Sequence, residues 1–225
     1  MDIFSYKLGK NSGGGSSGGI DYSTIGYEGT PQGVIDNYNY SKQIYDNWDN
    51  TQTNLTEKFL KDTKLEIMPL VDTSSATNMY GMFSGCTDLQ DVPLLDTSNV
   101  TSMRSMFENC YKLKKVPLFD TSNVTTMRSF LSTSSAVDVE TDIPVFNVTS
   151  LDNSSSLRGF IQNDKKLTDN GLNNLLIMCS RMPNYGTKTF AHLLNSSTSK
   201  NYPTSRIQSM PAYQDFINAG WTIGY

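Results

Sequence analysis

One histidine and three cysteines in 225 residues leave little material for metal or thiol chemistry. His192, in "FAHLL", has no Ser or Cys partner in a strained turn and reads as a helix-surface or cap residue. An odd cysteine count in a chain of this length does not make a disulfide framework. A glycine-rich phosphate loop is also missing, because "GGGSSGG" follows no strand and lacks the Lys-Ser/Thr of such a loop. Asp and Glu are dispersed, with no convergent pair for acid–base work. The expectation is a noncatalytic protein with no catalytic residues, no cofactor and no bound metal.

Basic excess is absent as well. A net charge of −4 would repel a phosphate backbone, which argues against nonspecific nucleic-acid binding. The densest basic spot, Lys112, Lys114 and Lys115, reads as a solvated face. No apolar run approaches the roughly 20 residues of a membrane-spanning helix, so no membrane span is expected. "MDIFSYKLGK" has no basic start, long apolar stretch or small-residue cleavage site, and is not a Sec-type signal peptide.

Against these absences stands a repeated phrase. "DTSNVTSMRSMF" at 96–107 returns as "DTSNVTTMRSFL" at 120–131, and a weaker copy, "DTSSATNMYGMF", stands at 72–83, a 24-residue period. Aligned positions fix the register: Met79, Met103 and Met127; Met82, Met106 and Phe130; Phe83, Phe107 and Leu131; Leu89, Leu113 and Val137. A degenerate earlier copy runs through Leu55, Phe59, Leu65 and Met68, and a later one through Leu157, Phe160 and Leu167. The fourth copy is lengthened between Val137 and Ile143. Self-similarity at such a period is the signature of a solenoid, in which each unit buries its apolar face only against its neighbours.

Within a unit, Val100, Met103, Met106, Phe107 and Cys110 have the spacing of one side of a helical turn. Leu113, Val116 and "PLFD" have the look of a short strand. The expected class is therefore an α/β solenoid of leucine-rich-repeat-like coils, short parallel strands plus short helical segments, with a helical C-terminal cap. The Met ladder reads as core filler.

"DTSNVT" recurs because each coil needs the same corner, where Asp, Thr, Ser and Asn side chains accept hydrogen bonds from backbone N–H groups. A calcium site shared by Asp72, Asp96 and Asp120 is the competing reading of stacked carboxylates, and local backbone hydrogen bonds neutralise them more simply. Cys86 and Cys110 share one repeat position with Ser134. The spacing of adjacent coils would allow a disulfide there. Buried thiols acting as small apolar fillers, Cys179 included, are the preferred reading. The N-x-S/T triplets at Asn54, Asn99, Asn123, Asn147, Asn153 and Asn195 read as accidental glycosylation matches, several being the corner itself.

Four segments follow. Residues 1–19 are a leader peptide, with Ile3, Phe4, Tyr6 and Leu8 as an apolar cluster, and a Gly/Ser tether of flexible-coil composition. Residues 20–54 form an N-terminal cap, with a turn at "GYEGTPQG" and a short helix within "VIDNYNYSKQIYDNW". Residues 55–167 are the solenoid. Residues 168–225 are a helical C-terminal cap, in which Pro211 suits a first helical turn and Gly220 a left-handed stop with Trp221 reaching back to Phe216. Polar residues between buried positions are the candidate binding surface: Tyr80, Asp88, Arg104, Glu108, Tyr111, Lys112, Lys114 and Arg128.

The stretch "MFSGCTDLQDVPLLDTSNVTSMRSMFENCYKLKKVPLFDTSNVTTM", residues 82–127, strongly resembles the BspA-like leucine-rich repeats, a family of bacterial surface and phage-encoded proteins. The leader with its glycine tract, "IDYSTIGYEGTPQ" and the closing "AGWTIGY" resemble the frame of repeat proteins encoded in phages and prophages of gut bacteria. The resemblance implies a protein-interaction or recognition module of a phage or prophage, structural or host-recognising. It would sit in the virion, or in the bacterial cytoplasm before assembly, with the leader at 1–10 engaging the particle. A cell-surface adhesin is the other implied role, with a protein or host-surface ligand as partner in either case. On the register above, Leu113→Asp places an unpaired charge among stacked apolar residues and is expected to cost several kcal/mol in a urea melt. A wild-type melt would overturn the register.

Overall fold

A computed structural model describes residues 31–133, 139–151, 156–161, 166–182, 188–194 and 202–224. The leader, the tether and "GYEGTPQ" lie wholly or mainly outside the described residues, as do Ser134, Val137, Asn153, Asn195 and the His192 side chain. The regular elements in chain order are α1 (Pro31–Asp46), β1 (Glu140–Thr141), β2 (Lys166–Leu167), α2 (Asp169–Ser180), α3 (Phe190–Leu194), α4 (Thr204–Gln208) and α5 (Tyr213–Asn218). β1 and β2 pair in parallel, Glu140 opposite Lys166.

Between α1 and β1 the chain is organised by bonds between copies of the repeat. Parallel bridges run Asn54 to Asn78 to Ser102 to Thr126 on one side, and join Ile67 to Asp91 and Lys115 to Asp142 on another. Alternate N–H groups then donate to the following copy. Met79 bonds the Ser102 carbonyl at 3.0 Å, Gly81 that of Arg104 at 2.9 Å, Phe83 that of Met106 at 3.0 Å and Gly85 that of Glu108 at 2.7 Å. The same four rungs recur one coil on, from Met103, Ser105, Phe107 and Asn109 to Thr126, Arg128, Phe130 and Ser132.

The intervening N–H groups close turns three residues back, as Met106 to Met103 and Cys110 to Phe107 do. This differs from the short helix read from Val100 to Cys110. A helix commits every N–H to the carbonyl four residues earlier, whereas here every second one is used by the neighbouring coil. The backbone must therefore reverse its handedness repeatedly. Glu57, Gly81, Ser105, Ser129 and Gly159 have φ between 53° and 64°, and Lys61, Gly85 and Asn109 between 58° and 77°.

The repeated corner is explained letter by letter. The Asp carboxylate accepts from the N–H two residues on, Asp96 from Ser98 at 3.0 Å and Asp120 from Ser122 at 2.9 Å. The Thr after it donates upward, Thr97 to the Asp120 carbonyl at 2.9 Å. The Asn donates downward, Asn123 to the Ser98 carbonyl at 2.7 Å. The second Thr gives both its N–H and its hydroxyl to the preceding coil, Thr101 to Thr77 and Thr125 to Thr101. Thr and Asn thus work as donors between coils, where the sequence suggested acceptors within one. At Asn54 and Asn147 the N-x-T triplet is itself such a turn, the Thr hydroxyl donating to the Asn side-chain oxygen.

Inside the coils, Met79, Met82, Met103, Met106, Met127 and Leu113 are fully buried. A file of rings runs through the stack. Trp48, Phe59, Phe83 and Phe107 lie near-parallel with centroids 6.2, 5.6 and 5.4 Å apart, and Phe130 meets Phe107 edge-on at 5.3 Å. Buried aromatic pairs of this kind add about 0.5–1.5 kcal/mol each beyond their area.

Both ends are covered. Ser41 of α1 donates to the Ile67 carbonyl, and the Trp48 indole N–H to that of Asp72 at 2.7 Å. At the far end α2 is capped by Thr168, whose hydroxyl accepts from Gly171 N–H and donates to Asp142. A Cβ at Gly171 would stand 3.2 Å from the Ile143 nitrogen and the Thr141 oxygen, so glycine allows this close docking. Leu172, Leu175, Leu176 and Cys179 face inward. α5 packs on α2 and ends at Gly220, with φ 86° and Trp221 stacked on Phe216 at 5.6 Å. Pro211 lies two residues before α5, and α4 is a helix the sequence reading did not contain.

Gly85→Ala tests the turn geometry. Its Cβ would meet Lys61 Cγ at 2.9 Å and Lys61 Cα at 3.2 Å on a backbone with φ 77°. A loss of about 1–2 kcal/mol is expected from the handedness alone, measured by urea denaturation; an unchanged midpoint would contradict this conformation.

Candidate binding surface

The eight polar candidates fall into vertical columns along the stack. Tyr80 and Arg104 are brought together, the guanidinium 5.6 Å from the ring centroid. Arg128 continues that column, half-buried, with its N–H on the Thr126 hydroxyl. Asp88 and Lys112 form an ion pair at 2.5 Å, both partly open to solvent. Tyr111 donates to the Asn109 side chain at 3.4 Å, Glu108 is half-buried, and Lys114 is exposed. Two pairs thus join neighbouring coils.

A different feature stands out, which the sequence reading missed. Leu94 and Leu118 are 61% and 60% exposed, and they occupy the same place in consecutive coils. Each follows a proline, in the series Pro69–Leu70, Pro93–Leu94, Pro117–Leu118 and Pro144–Val145. "PLFD" is not a strand end here. Phe119 N–H returns to the Pro117 carbonyl at 2.9 Å, a tight three-residue turn with Leu118 at its apex. Val116 and Phe119 on either side are buried, so Leu118 points out. The signal was available: only one of two adjacent apolar residues after a proline can face the core. Leu95 takes that place, at 2% exposure.

Between these turns lies a groove of about 410 Å³, lined by Val92, Leu94, Val116 and Leu118 with Asp91 and Lys115. None of the eight polar candidates lines it. Charge of both signs therefore borders an apolar stripe, an arrangement suited to contact with another polypeptide segment.

Burial pushes the Cys86 thiol up to about 12, and its Sγ donates to the Phe59 carbonyl at 3.0 Å, as Cys110 does to Phe83 at 3.1 Å. Burial raises the Cys179 thiol too. None of the three is in a disulfide. Asp72 and Asp120 are held below the ordinary carboxylate value, Asp72 first by the Ser74 N–H and Asp120 first by the Ser122 hydroxyl. Among the described residues, no group of three His, Cys, Asp or Glu is placed to hold a metal ion. No helix among them is long and apolar enough to cross a membrane.

This geometry defines a repeat protein whose copies are hydrogen-bonded in series. The family profile described as "Mycoplasma protein of unknown function, DUF285" matches residues 32–143 and 77–174, overlapping stretches that cover more than half of the chain. The chain belongs to that family. No curated protein matches it, and no solved structure does.

Exposed Leu94 and Leu118 should tolerate charge: Leu94→Asp and Leu118→Asp are each expected to change unfolding free energy by no more than about 0.5 kcal/mol. Buried Leu95→Asp should cost several kcal/mol in the same denaturant titration. Equal effects at 94 and 95 would contradict the assigned faces.

Proposed function

We propose that the protein is a noncatalytic protein-interaction module built as an α/β solenoid of BspA-like, leucine-rich-repeat-like coils. Its role is that of a structural or host-recognition accessory of a phage or prophage. The observation that carries the interaction reading is the apolar stripe of Leu94 and Leu118, repeated where burial does not require it. A lone exposed leucine needs no explanation, but an aliphatic residue kept at one outward position in successive coils, beside a groove, does.

The solenoid assignment is supported by the serial bridges and rungs, since each coil bonds chiefly with its neighbours. The phage setting is supported by the resemblance of the leader, the glycine tract and the closing "AGWTIGY". The virion is then its final location, reached from the bacterial cytoplasm. The resemblance to bacterial surface repeat proteins favours one second reading, an adhesin with a host-surface ligand.

Quantitative peptide mass spectrometry of purified particles, washed host envelopes and cytosol separates the two, with the protein in its natural gene context. Stoichiometric recovery with particles is expected, and Leu94→Asp/Leu118→Asp should reduce it at least tenfold. Recovery with envelopes alone would replace the particle reading by the adhesin. Undiminished recovery of the double variant would remove the stripe from the contact.

A further inference from the structure

The chain carries a segment whose chemistry fits its own groove. In "MDIFSYKLGK", Phe4, Tyr6 and Leu8 alternate with Ser5 and Lys7, the period of an extended strand. In that form Phe4 to Leu8 would span about 13 Å on one face. The exposed part of the stripe is Leu94 and Leu118, and the residues in the same place one coil to either side, Leu70 and Val145, are half-buried. From Leu70 to Val145 is three coil steps, about 14 Å at roughly 4.8 Å each. Asp2, Lys7 and Lys10 supply charges opposite in sign to Lys115 and Asp91 at the groove.

Reach agrees as well. α1 is fastened by Ser41 to the Ile67 carbonyl, and Ile67 is bridged to Asp91 of the groove lining. From Ser41 back to Pro31 is about 15 Å of helix, and from Ile67 to Lys115 about 10 Å across coils. Residues 11–30 include the "NSGGGSSGG" tract, and a chain of that length and Gly-rich composition has a typical reach of about 25 Å. Such a tether supplies an effective concentration on the order of millimolar, so a weak contact suffices to fill the site.

We propose that residues 1–10 dock along the Leu94/Leu118 stripe of their own chain. The inference rests on reading that stripe as a binding surface, and it makes the leader an internal competitor for whatever partner the stripe receives. An arriving particle component would displace the leader, which is then released beside the contact it vacates.

The test uses the full chain with a nitroxide on Ser5→Cys, feasible because Cys86, Cys110 and Cys179 are buried. Paramagnetic broadening of leucine methyl signals is the readout. Leu94 and Leu118 should broaden at least fivefold more than Leu60, which is exposed but outside the groove lining. Adding Phe4→Asp and Leu8→Asp to the labelled chain should remove the difference. Uniform broadening, or none, overturns the proposal. Broadening that appears only on unlabelled-spin partners in a mixed sample overturns it in favour of a second copy of the chain. Particle recovery of the stripe double variant is scored separately, so loss of recovery without leader broadening retires this inference and leaves the interaction reading standing.

Discussion

The division of backbone N–H groups between a coil and its neighbour governs this molecule. Buried amides must be paired, and an unpaired one costs about 1–3 kcal/mol. Along Met103 to Asn109 the even-handed solution is to spend alternate donors on the next coil and the rest on local turns. That choice excludes a helix, forces left-handed φ at Ser105 and Asn109, and makes coil-to-coil register indispensable. Shifting one coil by a single residue would strand its rungs and send Met103 and Phe107 to the outside.

Packing follows from the same register. Because the rungs hold equivalent residues in line, Phe59, Phe83 and Phe107 stack ring on ring, and the Met positions close around them. The corner then adds a second set of links through Thr97, Asn123 and Thr125, each bridging two coils with a side chain. Cys86 and Cys110 fit this scheme as small fillers whose thiols also point at a carbonyl of the preceding coil. The ends, where the stack has no further coil, are covered by α1 with Trp48 after it and by α2 with its cap Thr168, and their polar contacts include Ile67, Asp72, Asp142 and Ile143.

Much of this was readable in the sequence for a simple reason. Residue types that recur every 24 residues must meet the same environment, so Met79, Met103 and Met127 could be aligned without any structure. Local form was less legible. The three-and-four spacing from Val100 to Cys110 is shared by a helix and by a succession of turns, and it is long-range bonding that decides between them. The corner side chains were identified but their partners were not, because Thr97 and Asn123 donate to atoms about one repeat away. The polar candidates proved to be partly engaged with one another, as Tyr80 with Arg104 and Asp88 with Lys112. The stripe was overlooked because "PLFD" reads as part of a short strand, although Leu94 and Leu95 could not both be inside.

The corner has a consequence for how such a chain can grow. In residues 96–119 the donors that leave the coil, among them Thr97, Asn99, Thr101, Met103, Ser105, Phe107 and Asn109, find their acceptors in adjacent copies, and others, such as Val100, Met106 and Cys110, close turns within the coil. An in-frame duplication of that stretch would slot between existing coils with its bonds already matched and both end caps untouched. It would lengthen the apolar stripe by one proline–leucine step. Copy number is thus a dial for the length of the contact face, turned by unequal recombination without redesign of any interior residue.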